Sequence, residues 1–171
     1  MTVLRIESSS EMEALGAAVG GHLVAGDVVV LHGPLGAGKT TFTRGVGAAL
    51  EVEGVIQSPT FVVAREHAPA HAGRPRLVHV DAYRLSHAEE LVDLDIDYDH
   101  SVVVIEWGRP FVEKVVDQWL DVDIHTSTED SNDLSAPSED GERVVTLTAH
   151  ARAETDSRFH ALLEVLNDFG H

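Results

Sequence analysis

Apolar positions along the chain alternate between helical and extended spacing, and the alternation outlines the elements. Met12, Leu15, Val19 and Leu23 share one face, preceded by two pairs at capping-box spacing, Ser8 with Glu11 and Ser10 with Glu13; a helix is expected over residues 6–25. Val28-Val29-Val30-Leu31 is a continuous apolar run, as in a strand buried on both faces of a parallel sheet. A glycine-rich loop follows, then a helical pattern carrying Phe42, Val46 and Leu50. Residues 61–64 and 77–80 read as strands, 87–94 as a short helix and 102–105 as another buried strand, and Pro110 is placed to open a short helix carrying Val112, Val115 and Val116. Residues 120–124 and 144–148 alternate as half-buried strands do. Near 156–169 a last helix aligns Phe159, Leu162, Leu163, Leu166 and Phe169. Strands alternating with helices predict an α/β fold with a largely parallel sheet, closed by an antiparallel hairpin near the C-terminus.

Two stretches break the pattern and are expected to be disordered. Residues 67–75 (HAPAHAGRP) form a polar loop. Residues 126–142 carry six acidic side chains with no basic or aromatic residue, and offer too little apolar surface to offset the entropy of ordering. This segment is expected to be a disordered, solvated insertion between the two hairpin strands.

Composition narrows the function classes. At 171 residues the chain is the length of one domain, 1–171. The absence of cysteine excludes disulfides, thiolate metal sites and cysteine nucleophiles. There is no long apolar run and no basic-then-apolar leader, so a cytoplasmic protein without a membrane is expected. Twelve basic against 29 acidic residues leave a net charge of −17, which disfavours direct binding to a phosphate backbone. A local anion site built from backbone N–H groups remains open.

Such a site is written in Gly33-Pro34-Leu35-Gly36-Ala37-Gly38-Lys39-Thr40, a full G-x-x-x-x-G-K-[ST] match placed after a strand and before a helix. Its glycines let successive N–H groups face phosphate oxygens, and the helix start adds its dipole. Lys39 is placed to reach the β- and γ-phosphates and the Thr40 hydroxyl to reach Mg²⁺. A bare glycine turn would leave both side chains unexplained. The expected nucleotide contacts are Gly33, Leu35, Gly36, Ala37, Gly38, Lys39, Thr40 and Thr41. A P-loop site also needs a carboxylate at a strand end, and two strands supply one: 77–80 runs into Asp81 and 102–105 into Glu106. Either carboxylate could instead cap the segment that follows it.

GTPases of the translation type read guanine with N-K-x-D, and neither asparagine here, Asn132 or Asn167, precedes a lysine; D-x-x-G is also absent. A small-molecule P-loop kinase is the alternative, with Arg65, Arg74 and Arg76 available for a lid. His67, His71 and His79 with Asp81 are poor metal ligands, because the first two sit in a loop with no helix to align them. His79 fits a packed or supporting role better.

Taken in series, GPLGAGKTTFTRG (33–45), SPTF (58–61), HVDAYRL (79–85), EEL (89–91) and IEW (105–107) resemble the TsaE family of bacterial P-loop ATPases needed for threonylcarbamoyladenosine in tRNA. The resemblance spans roughly residues 6–150. It implies a P-loop NTPase-like three-layer fold, ATP and Mg²⁺ as cofactors, and the proteins TsaD and TsaB as partners. In such a complex TsaD performs the transfer to tRNA adenosine 37, and tRNA is met only through the complex. By position, Lys39 and Thr40 would serve the phosphates and metal. Glu106 would join the metal shell, and Asp81 would position water, act as base or share the metal. Ser58 and Thr60 would sit on a switch-like loop sensing the γ-phosphate. Trp107 would lie beside the site, and residues 9–12 would approach the adenine. The chain departs from the family pattern at Pro34, Met12 and Asp95, where acidic residues, threonine and glycine respectively are usual, and in the acidic insertion at 126–142, which is longer than usual.

Overall fold

The computed structural model describes residues 1–126, 141–152, 158–167 and 169. In chain order the elements are β1 (Thr2–Ile6), α1 (Ser9–Gly20), β2 (Val28–His32), α2 (Lys39–Leu50), β3 (Ala64–His67), β4 (Arg76–Asp81), α3 (Ala88–Val92), β5 (Ser101–Glu106), β6 (Gln118–Thr126), β7 (Arg143–Ala151) and α4 (Phe159–Leu166). Among the described residues the strands form one sheet in the order β1-β7-β6-β2-β5-β4-β3. Its centre, β6-β2-β5-β4, is parallel, while β7 and β1 at one flank and β3 at the other pair antiparallel. The sheet is therefore mixed, with the parallel strands where the apolar runs are continuous. β2 and β5 are buried throughout their apolar length, as strands covered on both faces must be.

The two faces are covered unequally. Leu15, Phe42 and Leu163 from α1, α2 and α4 join Val29, Leu31, Val104 and Val122 in the larger core. Leu91 of α3 and Val112 pack with Val28, Val30, Val103 and Ile105 on the other face. The expected stripe on the last helix faces the larger core, with Phe159, Leu162, Leu163 and Leu166 buried.

α1 and α2 approach closely through glycine. A Cβ on Gly16 would overlap the carbonyl oxygen of Phe42, and one on Gly45 would overlap that of Glu13. Gly45→Ala should therefore push the helices apart and destabilise by about 1–3 kcal/mol, since an overfilled contact between backbones has no rotamer to yield. Gly21→Ala, whose Cβ would meet nothing nearer than Ala17 O at 3.5 Å, should be close to neutral when both variants are titrated with urea.

Several boundaries differ from the pattern-based expectation. The first helix begins at Ser9 and not at residue 6, because residues 2–6 form β1 against β7. Ser8 is the cap that is used: Glu11 N–H donates to its hydroxyl at 3.2 Å, and Glu7 N–H donates to the Glu11 carboxylate at 2.8 Å. The strand expected at 61–64 starts only at Ala64. Val62 and Val63 N–H both turn back to Pro59 O, and Val63 adopts a φ of 66°. Residues 67–75 are not free loop: His67 ends β3 buried, Ala70 N–H reaches Glu51 O, and Pro69 bridges to Val52. The segment after Pro110 makes only a 3-10 turn at Val112–Lys114. Thr126 belongs to β6, and Glu142 pairs with Arg5 at 3.1 Å; the rest of the acidic insertion, 127–140, lies outside the described residues, as does Asp156.

Candidate functional site

The carboxyl ends of β2, β4 and β5 point the same way, because β5 runs parallel to both neighbours. The register sets Leu31 beside Glu106 and Glu106 beside Asp81, so the P-loop and two carboxylates converge at one edge. Alternation along the strands puts Leu77, His79 and Asp81 of β4 on the face covered by α2, together with Val102, Val104 and Glu106 of β5.

The loop takes backbone conformations that glycine permits. Gly33, Gly36 and Gly38 have φ of 145°, 80° and 113°, and Gly38 is the residue from which α2 departs. At Gly33 a side chain is also excluded sterically, since its Cβ would stand 2.5 Å from Ile124 O.

Lys39 is only 6% exposed. Its ammonium donates to Gly33 O at 2.7 Å and Pro34 O at 2.9 Å, and lies 4.5 Å from the centroid of the Trp107 ring. Burial pushes its pKa below the ordinary lysine value, against the raising pull of Glu106 and then Asp81. The surrounding negative charge thus does not fully offset desolvation of the cation, a deficit that an anionic ligand would fill. Pro34 offers its carbonyl to Lys39 but, being proline, no N–H to the loop.

Glu106 Oε1 accepts from His79 Nε2 at 2.8 Å and, at a longer 3.4 Å, from the Thr40 hydroxyl. Asp81 accepts from Tyr83 N–H at 3.0 Å and so also caps the 3-10 turn after β4. Trp107 holds a φ of 62°, an uncommon conformation for a bulky residue, and donates its N–H to Leu31 O at 2.9 Å. Tyr83 and His32 meet its ring edge-on.

A cavity of about 880 Å³ opens over the loop, of a size that takes a nucleotide. Leu35, Gly36, Gly38, Lys39, Thr40 and Thr41 line it, together with Glu106 and Ser58. Gly33, Ala37 and Asp81 are not among the lining residues; Asp81 is in register with Glu106, which is. Ser58 and Thr60 share a hydroxyl–hydroxyl hydrogen bond of 2.7 Å, so Thr60 is tied to the wall through Ser58. Ser9, Ser10 and Met12 form another wall, where the adenine was expected.

Two arginines without a role in the sequence pattern also line the cavity. Arg44 sits on α2 four residues after Thr40 and donates to Ile56 O at 3.4 Å, which ties the helix to the segment leading to Ser58. Helical spacing from the P-loop threonine could have flagged it. Arg143 donates to Ala37 O at 3.2 Å from β7. No local signal marks Arg143, because the hairpin brings it in from far along the chain. By contrast, Arg76 opens β4 at the end opposite the P-loop, and Arg74 lines a separate cavity there with it, so neither closes over the loop. His71 lies against Glu51 and His67 against Glu53 O. Among the described residues no helix is long and apolar enough to cross a membrane.

A family model described as threonylcarbamoyl adenosine biosynthesis protein TsaE matches residues 6–134. The chain belongs to the TsaE family. The glycine-rich loop at 33–40, the segment at 58–61 and both carboxylates fall inside the matched range, while Arg143 falls beyond it. Among TsaE relatives, the tRNA threonylcarbamoyladenosine biosynthesis protein TsaE of Mycobacterium tuberculosis is 48% identical over 129 residues, 71% of this chain and 75% of that protein. The protein of the same name from Streptomyces coelicolor is 49% identical over 125 residues, 71% and 84% of the two chains. That from Bacillus subtilis is 32% identical over 133 residues, 77% and 82%. A crystal structure of Bacillus subtilis YdiB superposes with a TM-score of 0.67 at 26% identity, covering 96% of this TsaE-family chain and 92% of that one.

Proposed function

We propose that this chain is an ATPase of threonylcarbamoyladenosine synthesis in tRNA, working on a TsaD–TsaB complex and not on tRNA itself. The observation that carries the reading is the buried Lys39 ammonium on a glycine-rich loop, with Glu106 and Asp81 in adjacent register beside it. Backbone N–H groups of the loop and the start of α2 would hold the phosphates, with Lys39 turning from the loop carbonyls to the β- and γ-oxygens. The oxygen donors Thr40 and Glu106, adjacent at the cavity wall, suit Mg²⁺, which prefers oxygen ligands and retains waters. Bound there, Mg²⁺ would neutralise charge developing on the transferred phosphoryl group. Asp81 would orient the attacking water and take its proton. Names of TsaE relatives and the net charge of −17 support the pathway and the indirect approach to tRNA. The kinase reading loses two of its three lid candidates, since Arg74 and Arg76 lie at the far end of the sheet, while Arg65 stays on β3 in register with His79.

The carboxylates should separate by role. Glu106→Gln should raise the Mg²⁺ concentration needed for nucleotide binding, followed by calorimetry at stepped magnesium. Asp81→Asn should bind Mg·ATP as the wild type does and release phosphate at least about 100-fold more slowly, the scale of a lost general base. Wild-type phosphate release from Asp81→Asn would remove Asp81 from the chemistry.

A further inference from the structure

β4 is an apolar strand with one polar exception between its ends. Leu77, Val78 and Val80 are buried, and His79, wholly buried among them, occupies a slot facing α2 where an aliphatic residue would pack without polar cost. Its Nδ1 is buried with no hydrogen-bond partner, so the imidazole is retained there at an unrecovered desolvation cost. Its other nitrogen, Nε2, stands 2.8 Å from Glu106 Oε1. The carboxylate only accepts, which places the proton on Nε2 and leaves Nδ1 the bare lone pair. Glu106 is itself 4% exposed, and the same oxygen meets the Thr40 hydroxyl at 3.4 Å. A buried carboxylate with one short and one long donor takes its orientation from the short one.

We propose that His79 is a positioning residue for the magnesium-binding carboxylate: it holds Glu106 by Oε1 so that the group meets the cavity at Thr40 in one fixed rotation. This rests on the nucleotide reading above and assigns His79 no contact with nucleotide or metal. A histidine behind a liganding carboxylate acts through geometry, and loss of such a partner costs about 10- to 100-fold in metal affinity. The effect should fall on magnesium dependence, because the loop N–H groups and Lys39 that meet the phosphates do not touch His79.

The test compares three substitutions. The amide nitrogen of glutamine can fall near Nε2, whereas that of asparagine falls near Nδ1, too short to reach Glu106; leucine fills the slot with no donor. Nucleotide affinity is measured by calorimetry without magnesium and across a magnesium titration, alongside kcat and KM for ATP. His79→Asn and His79→Leu should keep the magnesium-free affinity, require about 10-fold or more magnesium for half-maximal binding, and show a raised KM for ATP at magnesium between the two midpoints that returns toward wild type at proportionally higher magnesium. His79→Gln should stay within about threefold of wild type, as expected where the hydrogen bond is restored. Should His79→Leu not fold, the Gln–Asn pair still decides. Equal impairment of Gln and Asn, or wild-type magnesium dependence in Asn, overturns the proposal and leaves the ATPase reading standing. A wild-type chain that binds no Mg·ATP overturns that reading and this one with it.

Discussion

Lys39→Ala is expected to abolish the thermal stabilisation that Mg·ATP confers while leaving the fold in place. A ligand at 100 times its dissociation constant stabilises the native state by about 2.7 kcal/mol, roughly 5–10 °C in melting temperature for a chain of this size. The wild type should show that rise and the variant none. The fold should survive because the larger core contains no part of the lysine ammonium, whose hydrogen bonds go to Gly33 O and Pro34 O at the cavity edge. Burial already disfavours the Lys39 charge more than Glu106 and Asp81 support it, so removing the cation relieves a desolvation cost along with its hydrogen bonds. Circular dichroism of the variant should match wild type. An undiminished melting shift with Mg·ATP in Lys39→Ala would take the P-loop out of the account.

The parts of the site that were legible in the sequence are contiguous. β2, the glycine loop and the start of α2 follow one another without a gap, and the strands ending in Asp81 and Glu106 show themselves as apolar runs closed by a carboxylate. Long-range pairing was illegible. β1 alternates buried and exposed residues over five positions, too short to stand out, and is a strand only because β7 returns to pair with it. Phe61 and Val62 look like strand residues because they are apolar, yet the turn at Pro59 leaves Phe61 87% exposed, its ring meeting Arg84. Helix length was overestimated at residues 6–25 for a related reason: Leu23 continues the apolar spacing, but α1 ends at Gly20 and Leu23 N–H turns back to its carbonyl. At Asp95 the family's usual glycine has a local reason, since Asp95 takes a φ of 50°, a region that aspartate tolerates better than most residues. Arg143 and the His79–Glu106 contact needed tertiary structure, one crossing between β7 and the P-loop and the other between adjacent strands.

Dependence on partners carries the other large effect. A chain of net charge −17 has no footprint for tRNA, and the isolated protein should hydrolyse ATP slowly and bind tRNA poorly. On the proposed ATPase reading, Ser58 and Thr60, linked by their hydroxyls and connected through Ile56 to Arg44 on α2, would form a segment that a bound γ-phosphate orders and a partner reads. The direct measurement is multiple-turnover threonylcarbamoylation of unmodified tRNA by TsaD and TsaB with threonylcarbamoyl-adenylate, with this chain or its Lys39→Ala variant added and ATP present or absent. Repeated turnover only with the wild-type chain and ATP is the expected result; turnover sustained equally by Lys39→Ala would contradict the account.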